Sequence, residues 1–370
     1  SFDSFIGYET PKHHGNPYNI GSPMEQAQLE WLAFQNSGLQ PSSSLYGSGA
    51  NPMLPDFITP AGAMEGEVDL DDYYVNPFYT STDDLNSFFR ITRANKEGTN
   101  WFQEVFQPAF TTNNNLSVSG GNDDATYLFS LNHVNEEGTL RRTYNERLSM
   151  RVNTQFNVND NIRVGQNASI TFSENPTAGS LNEGTATGMI YRQAPIIPVY
   201  DINGNFAGNF GTPLGNASNP VAQRERTRNN TGENTTIFGN VFAEVDFLRN
   251  LTFRSNFGGS IGNSNWSFFN FPEYENTENA VQNQYGEGAW NGTEWTWTNT
   301  VSYNELLANV HDLSIVVGTE AFESTGGERG GSRTDYFSFN PNYVNLSTGS
   351  GTPTNYSYRY ENALFSIFGR

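Results

Sequence analysis

The sequence predicts an all-β fold, part of a large antiparallel transmembrane β-barrel with one short helix near the N-terminus. Three observations carry this. Two neighbouring segments alternate apolar and polar residues with period two, as strands with one apolar and one polar face do. Successive strands are joined by short and long connections in turn. No window approaches the roughly 18 consecutive apolar residues of a membrane-crossing helix, so any crossing would be made by strands.

The clearest strand is Leu148 to Val158, where Leu148, Met150, Val152, Phe156 and Val158 alternate with Ser149, Arg151, Asn153, Gln155 and Asn157. Asn159-Asp160-Asn161 turns the chain, and Ile162, Val164, Ala168, Ile170 and Phe172 repeat the pattern against Arg163, Gly165, Asn167, Ser169 and Thr171. These are the arms of one hairpin. Strands of about ten residues, apolar on one side and carrying Arg, Asn, Gln and Ser on the other, suit a barrel with lipid outside and a wet lumen inside. On that reading Arg151, Gln155, Arg163 and Asn167 face the lumen. A soluble sandwich also has a polar outer face, so the connections must decide.

They favour the barrel. Thr236–Phe247 and Leu251–Gly262 are separated by little more than Leu248-Arg249-Asn250, and Glu294–Glu305 is linked closely to Asp312–Phe322. Long excursions are expected at Ser173–Thr235, Asn263–Thr293 and Glu323–Ser357. Outer-membrane barrels carry tight periplasmic turns at one rim and long extracellular loops at the other. Trp295, Trp297 and Tyr303 fall on one face of one strand, and Phe253 and Phe257 on one face of another, where interfacial or lipid-facing rings belong.

Composition narrows the class further. The 370 residues include no Cys, 35% hydrophobic, 16% charged and 14% aromatic residues, with a formal net charge of −20. That charge argues against nucleic acid, whose phosphates call for a basic stripe. The absence of Cys removes thiol chemistry and disulfides. Ser1–Phe5 lacks the basic and apolar regions of a signal peptide, and Tyr358–Arg370 reads as a strand in progress, so the expectation is an internal piece of a longer polypeptide.

Residues 1–100 are expected to hold a first strand (Ser1–Tyr8), a short helix and a long irregular loop, and residues 101–370 the barrel strands. The helix starts at Ser22-Pro23-Met24-Glu25, a capping box with Pro at the first helical position, and stops at Gly38. Met24, Ala27, Trp31 and Phe34 mark its apolar face. The acidic run Glu65, Glu67, Asp69, Asp71 and Asp72 reads as a solvated loop, and calcium is the alternative there, though the run lacks the spacing and bend glycine of a calcium loop.

Catalytic and metal signals are poor. The four histidines, at 13, 14, 133 and 311, form no H-E-x-x-H motif. Gly258-Gly259-Ser260-Ile261-Gly262 fits the nucleophile-elbow pattern but not its strand–turn–helix context. Asp201-Ile202-Asn203-Gly204-Asn205 opens like a calcium loop, yet Phe206 stands where the bend glycine belongs, and an Asn-Gly turn explains it better. The reading is a non-enzyme with no catalytic residue, cofactor or metal.

Asn115-Leu116-Ser117-Val118-Ser119-Gly120-Gly121, then Tyr127-Leu128-Phe129-Ser130-Leu131 and Glu137-Gly138-Thr139-Leu140, resemble the barrel of the SusC/RagA-like TonB-dependent outer-membrane transporters. Gly98–Phe106, Pro198-Val199-Tyr200-Asp201, Leu251–Gly258, Trp297-Thr298-Asn299-Thr300 and the closing Phe368-Gly369-Arg370 extend the resemblance in family order over most of the chain from Trp101. The resemblance implies a 22-stranded barrel around a plug, in the outer membrane of a Gram-negative bacterium. It further implies energy from TonB, a SusD-like surface lipoprotein as lid, and an oligosaccharide or peptide as substrate. Against that pattern the plug, the TonB-contact segment and the last strands are missing, and the roughly ten strands expected here cannot close a barrel alone. Tyr73, Tyr74, Trp266, Phe268 and Phe269, placed in long loops, are candidates for substrate or lid contact. A surface or secreted glycan-binding β protein and a passive porin are the alternatives.

Overall fold

The computed structural model describes residues 1–11, 21–59, 61–73, 90–176, 183–210, 212–276, 278, 282–308 and 310–370. Tyr74, His13 and His14 lie outside them. The elements in chain order are β1 (Phe2–Glu9), α1 (Pro23–Asn36), β2 (Ser42–Ser43), β3 (Gly47–Ser48), β4 (Phe57–Thr59), β5 (Thr92–Arg93), α2 (Trp101–Val105), β6 (Ala109–Gly121), β7 (Ala125–Glu137), β8 (Tyr144–Asn159), β9 (Ile162–Pro176), α3 (Ala186–Arg192), α4 (Pro220–Arg226), β10 (Thr231–Leu248), β11 (Leu251–Asn270), β12 (Gln284–Leu307), β13 (His311–Thr334) and β14 (Thr354–Gly369).

One antiparallel sheet of ten strands, in the order β1-β6-β7-β8-β9-β10-β11-β12-β13-β14, dominates the fold. The connections β6–β7, β8–β9, β10–β11 and β12–β13 share one rim, and β1–β6, β7–β8, β9–β10, β11–β12 and β13–β14 are joined at the other. The alternation is as expected, except that 138–143 is itself short. Among the described residues no helix is long and apolar enough to cross a membrane, which says nothing of strands.

Register shows why the pattern of two matters. Val241, Phe257, Trp297, Ala321 and Phe365 pair across five strands in one row, and Val245, Phe253, Val301 and Val317 in another nearer the turns. Met150, Ile170, Ile237 and Ile261 form a third. These side chains have nothing covering them: Val241 is 56% and Phe365 66% exposed. Such a contiguous apolar face far exceeds what a soluble surface tolerates. The buried core lies elsewhere, where Ala27, Trp31, Tyr46, Ile58, Trp101, Val105, Ile190, Ile196, Ile197 and Val221 pack in a cap formed by the long connections.

Several expectations need correction. β11, β12 and β13 run on through most of the spans read as the long excursions Asn263–Thr293 and Glu323–Ser357, leaving only 271–283 and 335–353 as connections. Strands begin at Ala109 rather than Trp101, because Asn100 caps the short helix α2 by accepting from the Gln103 amide at 3.2 Å. Besides the expected N-terminal helix there are therefore α2, α3 and α4. The irregular stretch 39–100 carries two small ladders, β2–β3 and β4–β5.

Helix α1 itself forms as its capping box requires. Ser22 Oγ accepts from the Glu25 amide at 3.2 Å while Glu25 Oε2 accepts from the Ser22 amide at 2.6 Å. Ala27 and Trp31 are buried against the cap, but Met24 is exposed and does not join that face.

Candidate functional site: the polar face and its aromatic tier

All four residues read as lumen-facing fall on the polar face of the sheet. Arg151 pairs with Ser130 and Ser169, Gln155 with Thr126 and Gly165, Asn167 with Asn153 and Asn240, and Arg163 with Asn157 and Glu244. Near the turn rim Arg163 holds Glu244 at 2.6 Å and Asp246 at 2.8 Å, and Arg254 reaches Glu244 at 2.8 Å. Further along, Asn167 donates to Asn240 at 3.1 Å and Asn240 to Asn256 at 2.6 Å. Arg163, Glu244, Asp246, Arg254, Asn167, Asn240 and Asn256 are thus each partnered on the sheet, and this part of the polar face is self-satisfied.

Towards the long-connection rim the polar face changes character. Its rows there read Trp266–Gly288–Gly330–Tyr356, Ser264–Trp290–Glu328–Tyr358 and Gly262–Gly292–Gly326–Tyr360, with Phe268–Gly286–Ser332–Thr354 beyond. The glycines are required. A Cβ on Gly288 would stand 2.3 Å from the Trp266 ring, one on Gly286 2.4 Å from Phe268, and one on Gly262 2.7 Å from Trp290. Rings thus lie over the bare backbone of the neighbouring strand, the device by which cross-strand aromatics compensate glycine. Trp266 and Phe268 are parallel to within 12°, centroids 6.0 Å apart. Glu328 accepts from the Tyr356 hydroxyl at 2.7 Å and the Tyr358 hydroxyl at 3.0 Å.

The remaining site candidates divide. Trp266, Phe268 and Phe269 stand on strand β11 rather than in a loop. Trp266 and Phe268 belong to the tier, whereas Phe269 points to the opposite face. There it is buried among Phe271, Tyr336 and Phe339 and accounts for itself as packing. Tyr73 is engaged in the cap: its hydroxyl donates to Asp201 Oδ2 at 2.7 Å and accepts from Asn205 Nδ2 at 2.7 Å. Burial and the Asp201 bond hold its pKa well above the ordinary tyrosine value. Trp290, Tyr356, Tyr358, Tyr360 and Glu328 were missed by sequence reasoning; the glycines flanking Trp290 and Glu328 and the period-two run Tyr356, Tyr358, Tyr360 were the available signals.

The cap is tied together by buried charge. Arg226 grips Glu275 with bonds of 2.7 and 2.9 Å, Arg90 stands 3.5 Å from Asp201, and both guanidinium groups lie over the Tyr274 ring, at 5.0 and 4.3 Å. Burial alone would lower the Arg226 pKa, but the charge and hydrogen bonds of Glu275 more than offset it and the group stays cationic. Asp201 also accepts from the Asn203 and Asn205 amides, with Gly204 at φ +80°, so 201–205 is the expected Asn-Gly turn. In the acidic run Glu65 pairs with Arg93 at 2.7 Å, and Glu67 accepts from the Met64 amide. Among the described residues no three His, Asp or Glu side chains gather as metal ligands. Gly258–Gly262 is plain extended strand, without the turn a nucleophile elbow needs.

No family model matches the chain. It is 25% identical over 400 residues to TonB-dependent receptor P3 of Formosa agariphila, covering the whole of this chain and 36% of that protein. It is 24% identical over 305 residues to TonB-dependent receptor SusC of Bacteroides thetaiotaomicron, covering 74% of this chain and 28% of SusC. Among solved structures, the RagAB peptide importer in its open-open state superposes over 100% of this chain and 39% of its own, with TM-score 0.71 and 20% identity. The chain has the fold of a SusC/RagA-like barrel segment. The RagAB peptide importer in its closed-closed state gives a TM-score of 0.66 over the same coverage. The uncovered apolar face, the polar face opposite and the cap on a single rim accord with that fold. The chain spans about a third of the length of the curated relatives it matches.

Proposed function

We propose that the chain forms part of the wall and outer vestibule of a TonB-dependent importer in the outer membrane of a Gram-negative bacterium. Lipid covers the apolar face, the polar face lines the lumen, and the short turns 122–124, 160–161, 249–250 and 308–310 lie on the periplasmic side. The cargo is an oligosaccharide or a peptide. A SusD-like lipoprotein closes the mouth above the cap, and TonB engages a part of the polypeptide outside these 370 residues. The chain performs no covalent chemistry; binding, enclosure and passage are its work.

The observation that supports this best is the continuous apolar band backed by a polar face over ten strands, a surface that a membrane stabilises. Likeness to TonB-dependent receptors over the full chain agrees with it. The test uses the full-length protein in its host: uptake of its cargo is measured with and without TonB, and the complex is extracted in detergent and probed for a co-purifying lipoprotein. Loss of uptake without TonB, with lipoprotein recovery, is expected. TonB-independent uptake would favour a passive porin, and recovery from a detergent-free extract would favour a surface glycan-binding protein.

A further inference from the structure

The geometry points to a binding site for a neutral oligosaccharide on the aromatic tier of β11–β14. This deepens the import reading and rests on it for the polar face being the lumen.

The argument starts from how the rings are held. Trp266 and Trp290 lie over Gly288 and Gly262 instead of standing upright, so each offers a π face to the lumen side. A π face is the negative part of the ring quadrupole, and the C–H-bearing face of a pyranose ring is a flat, weakly positive apolar partner for it. Two parallel rings on neighbouring positions of β11 extend that surface for successive sugars.

Hydrogen-bonding capacity points the same way. Sheets recognise extended peptides through a free strand edge, because the peptide amides need backbone partners. Here β11, β12 and β13 are each paired on both sides, so their amides and carbonyls are engaged in ladders. What remains are side-chain oxygens: Glu328, fixed between the Tyr356 and Tyr358 hydroxyls, leaves those phenolic oxygens free to accept from sugar hydroxyls.

Charge then selects among glycans. On these four rows the one charged group among the described residues is Glu328, and the rest are aromatic, Gly, Ser and Thr. With a net charge of −20 over the chain, a uronate or sulfated glycan meets repulsion and finds no cation on the tier.

The test is a titration of the full-length protein in detergent, followed by tryptophan fluorescence. The probes are malto-, xylo- and β-gluco-oligosaccharides, an oligogalacturonate and a neutral heptapeptide. At least one neutral series should bind, and Trp266→Ala or Trp290→Ala should weaken it on the order of tenfold. Gly288→Ala, whose methyl would collide with the Trp266 ring, should weaken it too while keeping every aromatic group. Glu328→Gln should narrow the preference against oligogalacturonate. Heat-dependent gel mobility identifies variants that still fold. Failure of every neutral series to bind, tighter binding of the peptide or the uronate, or neutral binding unmoved by folded tryptophan variants would overturn the inference. Normal glycan binding with uptake that persists without TonB would instead sink the import reading and leave the tier standing.

Discussion

Tyr46 shows at the scale of one residue how the cap is balanced. It is 2% exposed, and its hydroxyl has no hydrogen-bond partner among the described residues. Burying an unpartnered hydroxyl is unfavourable, so Tyr46→Phe should raise the stability of the cap at neutral pH by about 1 kcal/mol. Burial, with the nearby Glu30 charge, also pushes its pKa up to about 12. An unfolded tyrosine ionises near 10, so above about pH 10 the unfolded chain releases a proton that the folded cap retains. The contribution is intact below 10 and is lost as pH climbs from 10 to 12. Thermal unfolding of the cap should therefore move to lower temperature over that window, and less steeply in Tyr46→Phe; an unchanged alkaline slope would show that Tyr46 is not the titrating group. Glu275→Gln should act in the opposite direction at neutral pH, costing about 3–5 kcal/mol, because Arg226 would keep its charge in a buried place without a counter-ion. Protease sensitivity within 271–276 is the readout. Little at this scale was legible beforehand. Tyr73 stood out in the sequence as an aromatic beside an acidic run, but its hydroxyl belongs to Asp201 and Asn205, residues more than a hundred positions away. A partner that distant leaves no mark on local pattern.

At the scale of elements the outcome follows how far each signal travels. Period-two alternation from Leu148 to Phe172 does form strands β8 and β9, with the apolar residues on one face of the sheet and the polar ones on the other, because adjacent positions of a strand point to opposite sides. It follows that a lipid-soluble thiol reagent should label Val152→Cys and spare Asn153→Cys, and equal labelling would contradict the facing. Val241→Arg, on the apolar row of β10, should cost about 2–4 kcal/mol in bilayer refolding if the row lies near mid-membrane. The distal halves of β12 and β13 read as loops because Gly286, Gly288, Gly292, Gly326, Gly327, Gly330 and Gly331 carry loop propensity in isolation, and that of β11 because Asn263-Ser264-Asn265 does. Rings from the adjacent strand supply the contacts that Gly286, Gly288, Gly326 and Gly330 lack, and that compensation exists only once the strands are paired. Helices α2, α3 and α4, each of seven residues or fewer, are too short to display a helical period.

Over the whole molecule the question is what the sheet does at its edges. β1 pairs only with β6, and β14 only with β13, so each outer strand has one side whose amides and carbonyls meet no strand among the described residues. In hydrocarbon each unsatisfied backbone group costs several kcal/mol, and a sixteen-residue strand such as β14 presents a row of them. An eight-residue β1 is too short to satisfy that row. The apolar band is thus stable in a membrane only when further strands bridge β14 to β1. Expressed alone and refolded in detergent, the 370 residues should give aggregates or edge-paired oligomers without a heat-dependent mobility shift. The same residues within their full-length polypeptide should give a monomeric barrel that runs faster unheated than boiled. A heat-modifiable monomer from the isolated chain would mean that the ten strands close on themselves, and the wall would have to be redrawn as a complete small barrel with the aromatic tier inside a far narrower lumen.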